Sequence, residues 1–188
     1  MEYDNKYYDN KWVEVIKQLP KGGLYRFDLR KHSYQIIANY IGKDKKVFDY
    51  ACGLGIIGKY LHNTDLYGCD FSSVAVEFAS QFGKFEVSNE VFGSDYNFVI
   101  ASYFLEHTKE PVKWINDALK KSDNVICSIP NDFRQQGEHI DMQWNSWESF
   151  NDLFKEFKIK RLDVLNDKNL YPNDIPQAFK HPIVEFTR

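Results

Sequence analysis

The stretch Val47-Phe48-Asp49-Tyr50-Ala51-Cys52-Gly53-Leu54-Gly55-Ile56-Ile57-Gly58 constrains this chain more than any other part of it. It reads as a short buried strand over Lys46 to Tyr50, a turn of small residues, and a helix opening near Ile56. Three glycines in such a turn let backbone N–H groups approach a ligand that a Cβ would push away. The next apolar run, Leu66-Tyr67-Gly68-Cys69-Asp70, reads as a second strand ending in a carboxylate. An acid at that point is placed to take the two vicinal hydroxyls of a ribose, or to cap the helix that follows. These residues predict a nucleoside cofactor.

The rest of the chain supplies the layers around that unit. Trp12, Val15, Ile16 and Leu19 have helical spacing over 11–19, stopped by Pro20 and Gly22-Gly23. A second helix is expected over Leu29 to Ile41, with Ile36, Ile37, Tyr40 and Ile41 inward and Gly42 as its stop. Ser72 or Ser73 caps a helix that turns Val74, Ala75, Phe78 and Ala79 to a sheet. Phe85-Glu86-Val87 makes a short strand, and Asn97 to Ala101 a stronger one, apolar without alternation as in a central parallel strand. Pro111 opens a helix carrying Val112, Ile115 and Leu119 on one face. Asn124 to Ile129 is a further buried strand, stopped by Pro130. Residues 131–145 read as a long polar loop of the kind that serves a site. Trp147, Phe150, Leu153 and Phe154 mark a helix, and Lys158–Leu165 and Pro182–Thr187 two closing strands. This alternation predicts an α/β fold, a doubly wound, mostly parallel seven-stranded sheet with a terminal antiparallel strand. It forms one domain, with 1–42 an N-terminal helical segment or lid and 43–188 the core.

Composition narrows the function. A chain of 188 residues with net charge −3 lacks the basic excess of a nucleic-acid binder. Cys52, Cys69 and Cys127 show no paired spacing, and they are expected to be reduced, packed thiols. No apolar run approaches membrane-spanning length, and Met1 leads into Glu2-Tyr3-Asp4-Asn5 rather than a signal peptide. A cytoplasmic protein acting on a small molecule is the expectation. Tyr3, Tyr7, Tyr8 and Trp12 crowd the front, either as a docked aromatic segment or as a lid over a site.

Two cofactor classes compete for the glycine turn. Gly53-Leu54-Gly55-Ile56-Ile57-Gly58 matches G-x-G-x-x-G, the dinucleotide pattern. In that fold Asp49 would lie inside a strand, where an unpaired carboxylate is costly. A turn beginning at Asp49 or Tyr50 instead puts the carboxylate at the strand end, facing the ligand and able to hold an ammonium group.

Here the chain resembles the class I S-adenosylmethionine-dependent methyltransferases. Asp49-Tyr50-Ala51-Cys52-Gly53-Leu54-Gly55 is similar to their first motif, with Ala51 at a usual glycine. Tyr67-Gly68-Cys69-Asp70-Phe71-Ser72 is similar to the second. Asn97 to His107 resembles the fourth-strand motif and its Leu-Glu-His, and Ile129-Pro130-Asn131 with His139 and Trp147-x-x-Phe150 the region after strand five. The resemblance covers about residues 25–165 and implies a Rossmann-like core with S-adenosyl-L-methionine as cofactor. It implies cofactor contacts from Asp49, Ala51, Cys52, Gly53, Gly55, Asp70, Phe71 and Ser102. Asn97, where the family usually has Asp, is expected to support the sheet end. The adenine amino group has no clear partner among Ser88, Asn89 and Glu90.

Methyl transfer to a hydroxyl needs a proton acceptor, and His107 and His139 both fall at the carboxyl edge of the sheet, where ligands bind. Either is the candidate catalytic base; for His107 the alternative is a histidine pinning its loop. Glu106-His107 with His139 is also similar to part of a metal site, but Tyr103 stands where a glutamate completes it, so no metal is expected. The motifs resemble small-molecule and glycan methyltransferases, which suggests a sugar or sugar-nucleotide acceptor. The rival readings are an NAD-dependent oxidoreductase and a non-catalytic methyltransferase-like partner module.

Overall fold

A computed structural model describes residues 5–19, 25–62, 64–130, 142–165, 168–171 and 180–188. Five strands and their crossovers build the sheet: β1 (Lys46–Tyr50), β2 (Asp65–Asp70), β3 (Lys84–Val87), β4 (Phe98–Ser102) and β5 (Val125–Ser128). They run parallel in the order β3-β2-β1-β4-β5. A last strand, which we number β9 (Ile183–Thr187), lies antiparallel between β5 and β6 (Lys158–Arg161). The expected seven-stranded sheet with one reversed strand is borne out.

The helices are α1 (Asn5–Gln18), α2 (Tyr25–Ile41), α3 (Ser73–Ala79), α4 (Pro111–Ala118) and α5 (Trp147–Leu153). Pro111 sits in the first turn of α4, and Gly42 stops α2 at φ +75°, its N–H on the Ala38 carbonyl. Ser72 is the cap of α3: its hydroxyl accepts from the Ala75 N–H. Ser146 caps α5, exchanging hydrogen bonds with Ser149. Asn97 supports the sheet as expected, exchanging hydrogen bonds at 2.8 Å with Lys46 at the opposite end from the glycine turn.

Strand alternation sorts the core into two layers. Phe48, Val99, Ala101, Val125, Cys127 and Phe186 pack with Ile115 of α4 and Phe150 and Phe154 beyond it. Val47, Leu66, Ile100, Ile126 and Ile183 pack with Tyr34, Ile37 and Ile41 of α2. Continuing the alternation puts Asp49, Asp70, Ser102 and Ser128 on the α2 side, at the carboxyl ends of β1, β2, β4 and β5.

The structure corrects four expectations. No α-helix opens at Ile56; Ile56–Lys59 is a single 3-10 turn, because 14 residues (51–64) are all that separate β1 from β2. Lys158–Leu165 is not one strand. Its alternating sequence breaks at Asp163, whose buried carboxylate accepts from the Ile183 N–H and pairs with Arg161. Val164–Leu165 (β7) then pairs with Lys168–Asn169 (β8). The end of the polar loop is not polar packing at all: Met142 and Trp144 are buried in the core. The first two helices begin at Asn5 and Tyr25, earlier than the apolar spacing alone indicates.

Candidate active site

The glycine turn begins at Ala51, whose φ is +51°, followed by Gly53 at +50° and Gly55 at +62°. Left-handed backbone at a non-glycine residue costs about 1–2 kcal/mol. Ala51→Gly is therefore expected to raise stability by about 0.5–1 kcal/mol, less than the full relief because glycine has more freedom to lose on folding. Equilibrium urea unfolding checks this. The Cys52 N–H donates to the Cys69 carbonyl at 2.9 Å, tying the turn to β2. The Cys52 thiol is pushed well up by burial, with Asp49 and Asp70 adding to it, so it is no nucleophile.

Asp70 is 5% exposed and organises this turn. One carboxylate oxygen accepts from the Gly53 N–H and the other from the Ser72 N–H, both at 2.9 Å. Each oxygen keeps lone-pair capacity for a further donor. Burial raises its pKa, against which these backbone donors pull it down.

Asp49 stands inside β1, opposite Gly68 and Ile100, and only 3% exposed. The strand runs on through Tyr50, so the turn does not begin at Asp49. The acid occupies the costly position that was expected to mark a dinucleotide fold, and its place in the strand does not separate the two cofactor classes. Burial, then the nearby Asp70, pushes its pKa up to about 8. Two carboxylates crowd one face of the sheet here, and a cationic amino group would relieve both. That need, the N–H-bearing glycine turn and the spare acceptors of Asp70 fit the amino-acid end and ribose of S-adenosylmethionine.

Helix α1 covers the turn. A Cβ on Gly53 would come within 2.8 Å of the Trp12 indole. Tyr8 meets Phe71 edge-to-face at 4.7 Å, and Asp9 accepts from the Ser72 hydroxyl at 2.5 Å. The loop after β3 is pinned beside it, with the Tyr50 hydroxyl donating to the Asn89 carbonyl and the Ser88 N–H to the Asp70 carbonyl.

Beyond Asp49 the same edge holds a second polar group. Ser102 and Ser128 pair in register, and neither buried Oγ has a hydrogen-bond partner among the described residues. Tyr103 follows at φ +59°, its hydroxyl likewise buried and without a bond of good geometry. Leu105–His107 forms a 3-10 turn in which Glu106 is wholly buried and His107 half-buried. His139 lies outside the described residues. Sequence reasoning gathered Asp49, Ala51, Cys52, Gly53, Gly55, Asp70, Phe71, Ser102 and His107 at one edge. It weighed Glu106 and Tyr103 only in connection with a metal site and passed over Arg30 and Ser128; the parity of Ser102 and Ser128 on adjoining strands was the available signal. Among the described residues, no group of three or more His, Cys, Asp or Glu could hold a metal ion, and no helix is long and apolar enough to cross a membrane.

Comparison with known proteins agrees with this fold. No sequence among curated proteins matches the chain. Solved structures do. A chain of the complex between the Haloferax volcanii Trm112 methyltransferase activator and a methyltransferase superposes with TM-score 0.70 at 14% identity, covering 96% of both chains. A TehB-like SAM-dependent methyltransferase from Corynebacterium glutamicum gives 0.64 at 16% identity, over 96% of this chain and 97% of that one. The plantazolicin methyltransferase BpumL, solved with SAH, gives 0.63 at 12% identity, over 98% and 95%. At such identities the likeness establishes the fold. The sequence model of a methyltransferase domain matches residues 25–169, most of the chain. The chain thus belongs to the methyltransferase-domain family and is a class I S-adenosylmethionine-dependent methyltransferase.

Proposed function

We propose that this methyltransferase modifies a hydroxyl of a small polar molecule, a sugar or sugar nucleotide being the class that fits best. The observation that carries this is the set of buried polar atoms at and just after the carboxyl ends of β4 and β5. The hydroxyls of Ser102, Tyr103 and Ser128 and both oxygens of Glu106 have no hydrogen-bond partner of good geometry among the described residues. Buried polar groups are nearly always satisfied, so such a set is made for a ligand rich in hydroxyls rather than an apolar one.

S-adenosylmethionine supplies a methyl group on a sulfonium, ready for in-line displacement. In this reading Asp49 holds its amino end and Asp70 its ribose. The backbone of Ala51 to Gly55 lies along it, Phe71 lies beside the adenine, and Ser102 faces the reacting end. Much of the catalysis is then positioning, which is worth orders of magnitude in rate. Helix α1 is the cover of this site: Trp12 lies on Gly53, so the helix shifts to admit a ligand to that glycine. His107 serves at the acceptor end.

Calorimetric titration with S-adenosylhomocysteine and with NAD tests the cofactor assignment. Binding of the first alone is expected; binding of NAD alone, or of neither, would sink it, the latter in favour of a partner module. A radiolabelled-methyl screen over UDP-glucose, simple amines and RNA tests the acceptor. Label is expected on the sugar nucleotide, and label only on amines or RNA overturns that class.

A further inference from the structure

We infer that Glu106 takes the proton of the acceptor hydroxyl, and that Arg30 of α2 is the residue positioned to make it a base. The inference rests on the methyl-transfer reading above and deepens it.

Glu106 follows the carboxyl end of β4, the edge at which open α/β sheets bind ligands. It has no exposed surface, and neither oxygen has a hydrogen-bond partner of good geometry among the described residues. A carboxyl group buried in that way is either a defect or a site. Its neighbours argue for a site. The Arg30 guanidinium lies 4.0 Å above the ring of Tyr103, the residue held in left-handed backbone. Strain in a bulky residue of this kind persists where the surroundings over-determine it, and it gathers at working sites. Arg30 itself forms no ion pair among the described residues, although it lies close enough to Glu106 for each to feel the other's charge.

The titratable groups around Glu106 are few. Arg30 and, beside it, Tyr34 come from α2, Tyr103 from the end of β4, and Cys127 from β5. Asp49 of β1 acts on Tyr34. Burial pushes the Glu106 pKa up to about 8, with its own backbone amide and Arg30 pulling it back. A carboxyl so placed is protonated at lower pH and becomes a base as pH rises through about 8. His107, on the same turn, is half-buried and already has a partner.

In the step itself the acceptor oxygen forms a bond to the methyl carbon as the carbon–sulfur bond breaks. That bond's electron pair stays on sulfur, which becomes a neutral thioether. The O–H bond breaks and its proton passes to the Glu106 carboxylate, then to solvent once product leaves. No oxidant or reductant enters.

Glu106→Gln, nearly isosteric with the protonated group, provides the test. The S-adenosylhomocysteine affinity of E106Q should equal that of wild type, while methyl transfer to UDP-glucose falls about 10²-fold or more. The wild-type rate should rise with pH and be half-maximal near pH 8. Infrared titration of the S-adenosylhomocysteine complex reads the carboxyl without any acceptor. A protonated-carboxyl band vanishing near pH 8, absent in E106Q and shifted to higher pH in Arg30→Met, is the expected result. Arg30→Lys, which keeps the charge, should leave its midpoint near the wild-type value. E106Q with wild-type transfer, or the absence of any such band above pH 5, overturns the inference and leaves the cofactor reading intact. Failure of wild type to bind S-adenosylhomocysteine removes both.

Discussion

Asp70→Ala is expected to weaken S-adenosylhomocysteine binding about a hundredfold and to destabilise the free protein as well. A hydrogen bond to a charged group contributes about 1.5–3 kcal/mol, and a carboxylate that takes both ribose hydroxyls makes two. Losing them costs at least about 3 kcal/mol, a factor of a hundred or more in affinity. The same carboxylate accepts from the N–H groups of Gly53 and Ser72 at 2.9 Å. Alanine leaves both donors buried without a partner, at about 1–3 kcal/mol. Calorimetry gives the affinity and urea unfolding the stability. Wild-type affinity in the variant would remove Asp70 from the cofactor site.

Asp49→Asn is expected to weaken the same binding but to stabilise the free protein, by about 1–3 kcal/mol at pH 8. The two acids share a face of the sheet, yet Asp49 lies within a strand without the two backbone donors that hold Asp70. Asparagine removes a buried charge that only a bound amino group would answer. The pH dependence follows in sign. The ordinary value for Asp49 is 3.8 and the folded value about 8. Between those limits the folded protein holds a proton that the unfolded chain has released, so stability falls as pH rises from about 4 to about 8. Each such proton contributes about 1.4 kcal/mol per pH unit. Glu106, raised from 4.5 to about 8, adds a second in the same direction. Asp49→Asn should therefore remove about one proton's worth of slope from a plot of unfolding free energy against pH, measured without cofactor. An unchanged slope, or a less stable variant at pH 8, contradicts the account of Asp49 as a carboxylate awaiting a cation.

The two carboxylates illustrate how far the residues could be read alone. Both were legible as candidate site acids, each standing near the end of an apolar run beside the glycine turn. Their difference was not legible. The bond from Ser72 is a local turn two residues on, but the bond from Gly53, 17 positions away, depends on how the glycine turn folds back over β2, and no local pattern encodes it. The same holds for Glu106. In the sequence it is one more acid before a histidine, and His107 drew attention because its unperturbed pKa suits a base. Burial and the charge of Arg30, 76 positions earlier, set the Glu106 carboxyl apart, and neither is visible in the local sequence.

What the chain determined by itself is the order of its layers and the chemistry at one edge. Apolar runs without alternation make parallel strands, Pro111 and Gly42 start and stop helices, and glycines admit a left-handed turn, all through short-range sterics and solvation. The tertiary structure alone decided the length of the connection after Gly55, the break at Asp163, the seating of Trp12 on Gly53 and the charge state of the buried acids. These depend on distances between segments remote in sequence and on how much water each group keeps, and neither quantity exists until the sheet is assembled.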